Sequence, residues 1–374
     1  MSLDKLYYIY IDTKIEGAIE QLLRYFRTQV FKPQYCIEIY CKYYKEIEFS
    51  FSRKFAKHNI SFKFIRKFSE MELKTGKVVF YLFNAQSNCR VVANRNLVHI
   101  FVTHGESNKL ASVKPIIRIY DYVITAGDAG IDRYLKSGIF SPYDIQNDKI
   151  IKLGNTFTGD NLFTFNPSSR HIVYAPTWEG GIPEENYCSL SKETAYQIAR
   201  FCKKNNILTI YIQIHPNLGH RDVKYKKLLN DCTKLLIKFG FKVVKIKNDI
   251  IERTSFLYYF TCKKNTPIEV SFALTDISAM EVQFHSKGIP CAVIMNKKIS
   301  HMPRKMGEYY EKNSFNHVNT SLNFNKDMDD IKKYLISYSY PFLKEMSSSE
   351  RVLWLCKYTT HLHKEKNNEL SLLY

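Results

Sequence analysis

The chain has 374 residues, 45% of them hydrophobic, and its 55 Lys and Arg against 36 Asp and Glu give a formal charge of +19. On the rough basis of about 150 residues per domain this length suits two domains, and the apolar share is enough for a sizeable core in each. The positive surplus points to an anionic partner such as a nucleotide, a phosphorylated polymer or an anionic membrane, although base bias behind the Lys-, Ile-, Asn- and Tyr-rich composition would raise it too. Nine cysteines with no CxxC spacing exclude a disulfide framework and a cysteine-based zinc site, and fit a reducing cytosol with buried thiols.

Residues 6–11, LYYIYI, read as a buried strand, too short and too soon followed by charge for a signal peptide. No run of about 18 apolar residues exists, so no segment is expected to span a membrane. The chain is therefore read as cytoplasmic, with peripheral attachment at the inner face of the cell membrane left open. Residues 16–29 carry Ile19, Leu22, Leu23 and Phe26 at helical spacing. Strands follow at 35–40 and 62–68, around a helix within 43–58. The near-continuous apolar runs 78–84, 97–103 and 120–126 read as strands covered on both faces. A short helix at 129–139 and a strand end at 150–156 complete the first alternation. Residues 158–170 are turn-rich and weakly periodic, as an interdomain linker would be. The alternation then restarts: strand 171–177, helix 189–206, strand 207–216, helix 223–240, strand 241–246. The stretch 274–294 reads as strand end, turn, helix and returning strand, with Asp276 expected to cap the helix and Ser278 to sit in its first turn. Beyond Met295 the signal fades to helical pieces near 327–338 and 348–364.

Strands alternating with helices argue for an α/β fold with parallel doubly wound sheets. The domains are expected at 1–160 and 170–340, with a helical segment 341–374 that packs back on the first. In such sheets ligands bind beyond the carboxyl ends of the strands. Four of these ends carry chemistry: His104-Gly105-Glu106-Ser107-Asn108-Lys109, Pro176-Thr177-Trp178-Glu179, His215-Pro216 and Thr275-Asp276-Ile277-Ser278. His104, between a strand and a glycine, either takes a proton from a hydroxyl or is bonded within its own loop. His215, held extended by Pro216, either donates to a phosphate or is a satisfied core histidine. Lys109 either pairs with phosphate or is solvated, and Trp178 either stacks on a ring or packs. The helix start near Ser278 concentrates unpaired N–H groups, which suits an anion.

His99 reads as core. His171, His220, His285, His301, His317 and the pair His361 and His363 form no ligand pattern. The sequence has no HExxH, GxGxxG or GxxxxGK[ST], and its one DxD, Asp327-Met328-Asp329, runs into Asp330 at a polar helix start that reads as surface, so metal, dehydrogenase and P-loop readings fail and no cofactor is expected. Basic stretches at 224–227, 242–247 and 263–264 lack a nucleic-acid module signature and read as solvated faces.

The order HG, APTW, HP, TDxS across two Rossmann-like halves resembles the CDP-glycerol glycerophosphotransferases of teichoic acid synthesis and the related domains of capsule polymerases. The resemblance spans residues 104–278 and rests on His104-Gly105, Ala175-Pro176-Thr177-Trp178, His215-Pro216 and Thr275-Asp276-Ile277-Ser278. It implies GT-B architecture, two Rossmann-like domains facing across a cleft. It also implies transfer of a polyol phosphate from a CDP-activated donor to a polysaccharide or lipid-linked acceptor, with no metal. By that resemblance His104 and His215 are the catalytic histidines. Gly105, Lys109, Thr177, Trp178, Thr275, Asp276 and Ser278 are the substrate-binding residues. The family often has HGTP where this chain has His104-Gly105-Glu106-Ser107, and DxSS where it has Asp276-Ile277-Ser278-Ala279. The first departure bears on the acceptor and the second on one phosphate contact. A nucleotide-sugar glycosyltransferase of the same architecture, and a non-catalytic polyanion- or membrane-binding protein, are the alternative readings.

Overall fold

The computed structural model describes residues 5–103, 105–247, 250–253, 261–263, 267–297, 299–315 and 328–371. His104, Lys264 and His317 lie outside them. The chain forms two compact units: Met1–Gly105 with Val113–Gly159 and Ser337–Tyr374, and Glu106–Ser112 with Asp160–Ile336. The short segment Glu106–Ser112 thus belongs to the second unit although it lies within the first in sequence.

The first unit is built from β1 (Tyr7–Ile11), α1 (Glu16–Arg27), β2 (Cys36–Lys42), α2 (Glu48–Lys57), β3 (Lys63–Ile65), β4 (Val78–Tyr81), α3 (Asn88–Val92), β5 (Val98–Val102), β6 (Tyr122–Thr125), α4 (Asp128–Lys136), α5 (Pro142–Gln146) and β7 (Ile150–Lys152). Its seven strands run parallel in the order β3-β2-β1-β4-β5-β6-β7. Successive side chains of a strand point to opposite faces, and β1 divides accordingly. Tyr7, Ile9 and Ile11 enter one core with Ile19, Leu22 and Leu23 of α1, while Tyr8 and Tyr10 enter another with Tyr81 and Tyr120. Both faces are covered, which is why these strands are apolar throughout.

The second unit contains β8 (Phe163–Phe165), β9 (His171–Ala175), α6 (Lys192–Lys204), β10 (Thr209–Gln213), α7 (Lys224–Lys238), β11 (Lys242–Lys247), β12 (Ile250–Arg253), β13 (Thr261–Lys263), β14 (Ile268–Val270), β15 (Phe272–Asp276), α8 (Ala279–Ser286), β16 (Cys291–Ile294), α9 (Arg304–Asn313) and α10 (Met328–Leu335). Its main sheet has the order β13-β12-β11-β10-β9-β15-β16, parallel except for β12 and β13. The stretch 158–170 is not wholly linker, because Phe163 pairs with Ile268 in a small β8–β14 ribbon. Helix α9 also lay beyond the sequence signal: its inward face is Met306, Tyr309 and Tyr310, so the apolar stripe is carried largely by tyrosines.

The chain ends in α11 (Ser348–Ser371), which belongs to the first unit. Val352, Leu355 and Cys356 of this helix, with the preceding Leu343, are buried in the core around Ile19 and Phe80. Among the described residues no helix is long and apolar enough to cross a membrane.

Candidate functional site

The strand order of the second sheet turns back between β9 and β15, and a ligand crevice in such a sheet lies outside the carboxyl ends at that point. Thr177 and Trp178 follow β9, His215 follows β10, Thr275 and Asp276 end β15, and Ser278 opens α8. The two central strands are joined there by a side chain, since Thr275 Oγ1 donates to the Ala175 carbonyl at 3.0 Å and lies 3.1 Å from Ser278 Oγ.

Asp276 does not cap α8. The cap is Ser278, whose extended backbone aims Oγ at the Met280 N–H, 3.3 Å away. Asp276 is still strand, paired with Ile294, so its side chain leaves sideways before the helix begins. There it meets the exit loop of β9. Its Oδ2 accepts the N–H of Thr177 at 2.7 Å and of Ser189 at 3.1 Å. The residue is fully buried, and Oδ1 has no hydrogen-bond partner among the described residues. Burial pushes its carboxyl up to about 6, against the hydrogen bonds from Ser189 and Thr177 and the charge of Lys109.

Lys109 comes from the Glu106–Ser112 segment. Its ammonium donates to Thr177 Oγ1 and lies 5.9 Å from the centre of the Tyr187 ring. The Tyr187 hydroxyl accepts the Leu110 N–H at 3.2 Å, and Lys297 lies 3.9 Å over the same ring. Burial lowers Lys109 to about 8, with Asp276 opposing that shift. A desolvated ammonium beside a hydroxyl is a strong anion partner, because little water competes for it.

His215 stacks on Trp178 with ring centres 5.9 Å apart and planes at 15°. Its Nδ1 accepts the Asn217 N–H at 3.1 Å, so the neutral ring carries its hydrogen on Nε2 and presents it as a donor. The turn beyond is gathered by Glu179, a fully buried carboxylate that accepts the N–H groups of Gly219, Arg221 and Asp222 at 2.8 to 3.0 Å. Burial opposes its ionisation, but those amides outweigh burial and hold the carboxyl below the usual range. The sequence reading named Glu179 at a strand end without a role and passed over Ser189 and Tyr187. Two of the three act through loop geometry, and Ser189 acts through its backbone, which no motif records.

In the first unit Gly105 follows the undescribed His104 with φ +133, a conformation that an L side chain rarely adopts, and its N–H donates to Thr103 Oγ1 at 3.2 Å. The turn-back of the first sheet lies between β1 and β4. At its edge Asp12 accepts the Tyr44 hydroxyl at 2.6 Å and the Ser87 hydroxyl. Asp12 directly follows the first strand, and that position was the available signal for it. Of the other histidines, His99 is fully buried between the Tyr81 hydroxyl and the Asn94 carbonyl, each at 2.9 Å. Among the described residues no three His, Cys, Asp or Glu side chains converge as a metal site would require.

The described residues therefore bring Lys109, Thr177, Trp178, His215, Thr275, Asp276 and Ser278 to the ends of three neighbouring strands of one sheet, whereas Gly105 belongs to the first unit. No family model matches the sequence, and no curated protein matches it. Among solved structures the chain is similar to the S. aureus MnaA–UDP complex, with TM-score 0.49 and 11% identity over 96% of this chain and 98% of that one. It is also similar to Acinetobacter baumannii MurG, with TM-score 0.46 and 9% identity over 94% and 99%, and to TarM, with TM-score 0.42 and 10% identity over 98% of each chain.

Proposed function

We propose that this chain is a transferase. It moves a polyol phosphate, glycerol phosphate first among the candidates, from a CDP-activated donor to a hydroxyl of a growing capsule- or teichoic-acid-like polymer and releases CMP. The observation that carries this reading is the set of donors at the turn-back of the second sheet. The Lys109 ammonium rests on Thr177, the Ser278 hydroxyl opens α8, and the His215 ring is held in the tautomer that donates from Nε2. A diphosphate needs such partners, and the motif order supports a CDP-linked one.

In this reading the acceptor hydroxyl loses its proton to the imidazole of His104. Its oxygen forms a bond to the phosphorus that bears the polyol. The bond from that phosphorus to the bridging oxygen breaks, and the bridging oxygen leaves with CMP. Lys109, His215 and the first turn of α8 offset the charge that gathers on the leaving phosphate. Trp178, stacked on His215, offers a ring face beside them.

Nucleotide release from a panel of CDP-polyols, which yield CMP, and nucleotide sugars, which yield the nucleoside diphosphate on glycosyl transfer, with and without a teichoic- or capsule-type oligosaccharide, tests the reading. Acceptor-dependent release from CDP-glycerol or CDP-ribitol is the expected result. Release from nucleotide sugars alone would replace it with a glycosyltransferase. Turnover should fall about 10²–10⁴-fold in His104→Ala, the usual worth of a general base, and normal turnover in that folded variant would remove His104 from the mechanism.

A further inference from the structure

Lys109 reaches Thr177 from a segment with no helix or strand before Leu110, so something must hold that segment. Three contacts do so within the second unit. The Leu110 N–H donates to the Tyr187 hydroxyl at 3.2 Å, and the Asn108 carbonyl lies 2.8 Å from His301 Nε2. The third runs deeper. Asn108 Nδ2 donates to the Tyr310 hydroxyl at 3.2 Å, and that hydroxyl donates to Glu281 Oε2 at 2.5 Å. Asn108, Tyr310 and Glu281 are all buried. Tyr310 lies on α9 and Glu281 in the first turns of α8, the helix that Ser278 caps.

A buried carboxyl with few partners is costly. Among the described residues Glu281 Oε1 has no hydrogen-bond partner, nor has either ring nitrogen of His285 one turn further along α8. Burial raises the Glu281 carboxyl to about 7, with the Tyr310 hydrogen bond pulling the other way. Tyr309 borders the His285 ring, Cys291 on β16 is a buried neutral thiol, and the charge of Lys332 on α10 acts on His285, adding to the burial that keeps that ring neutral. A core position next to a sheet would ordinarily be apolar, so the acid calls for a reason.

We propose that Glu281 is a positioning residue: through Tyr310 and Asn108 it fixes the Glu106–Ser112 segment so that the Lys109 ammonium sits on Thr177. Tyr310 is the pivot, because giving its proton to an acid makes its oxygen a better acceptor for Asn108. The arrangement ties the segment that carries the lysine to α8, the helix that Ser278 caps. That this lysine then meets a donor phosphate rests on the function proposed above; its placement does not.

The experiment reads Lys109 without any nucleotide. Trace acetylation with acetic anhydride across pH 6–11, followed on the Lys109 peptide by mass spectrometry, gives the pH at which this amine becomes reactive. In the native protein the midpoint is expected near 8. In Tyr310→Phe, which removes only the hydroxyl, and in Glu281→Leu, it should move up towards about 10.4, the value of a solvated lysine. Glu281→Gln keeps an oxygen for the Tyr310 hydroxyl and should retain the native midpoint. A native midpoint near 10.4, or an unmoved midpoint in a Tyr310→Phe protein with native circular dichroism, would overturn the proposal. Absence of CMP release from any donor would overturn the proposed function and leave this result standing.

Discussion

Asp276 shows how one residue can be read correctly for place and wrongly for role. Its position after an apolar run was legible, but capping needs a side chain just outside the first turn, and the strand extends through Asp276 itself. The serine two residues later takes the cap, and the aspartate instead pins two backbone amides of another loop. This carries a pH signature. Its carboxyl is raised from 3.8 to about 6, so the folded state holds the proton more tightly than the unfolded chain. Stability associated with this group is therefore fully present below about pH 4 and is lost as pH rises to about 6, by roughly 3 kcal/mol. Asp276→Asn leaves one oxygen for both amides and removes that loss. Urea unfolding of the variant, compared with native protein, should show its relative stability rising between pH 4 and 6 and then levelling; parallel curves would contradict the burial argument. On the proposed function, His215→Ala removes a donor to a phosphate oxygen, an interaction worth about 1.5–3 kcal/mol. It should raise the donor KM or the nucleotide Kd about 10- to 100-fold while thermal stability changes little, measured by titration calorimetry with CDP.

Helix α8 joins structure to the proposed chemistry, and its cap can separate the two. Ser278→Ala loses the side-chain acceptor and should destabilise the second unit by about 1 kcal/mol. Ser278→Asp supplies an equally good cap but places a negative charge where a phosphate would sit. It should unfold at nearly the native urea concentration yet bind nucleotide at least tenfold more weakly; unimpaired binding would remove the start of α8 from the site. Helix α4 makes a closer structural demand. A Cβ on Gly130 would lie 1.6 Å from Thr125 Oγ1 at the end of β6. Gly130→Ala should therefore destabilise the first unit by about 1–3 kcal/mol, as overpacking does, despite the better helix propensity of alanine.

At the scale of the molecule, each unit has its own cores, and the last segment serves the first. Leu343, Val352 and Leu355 are at most 1% exposed there, and each such side chain is worth about 1.5–3 kcal/mol of burial. Their sum rivals the whole stability of an ordinary domain, about 5–15 kcal/mol. Deleting residues 341–374 should let limited proteolysis digest peptides from 5–103 while peptides from 171–247 stay protected. Equal protection of both would show that the first core stands without the segment.

Periodicity determined most of the strands, the main helices and the doubly wound class, because side chains covered on both faces must be apolar in long runs. It also marked the strand ends that carry Thr177, His215 and Ser278, since polar residues at those ends stand out against the runs before them. Helix α9 escaped because tyrosines form its inner face, and the β8–β14 ribbon escaped because three-residue strands have too short a period to register. Tertiary structure alone decided which partners those residues meet. Lys109 lies 68 residues from Thr177, Asn108 lies 202 from Tyr310, and Asp276 lies 99 from the amide it holds. Contacts of that separation leave no local trace in a sequence; they exist because the strands bring remote loops to one edge of a sheet, where burial makes each polar group find a partner.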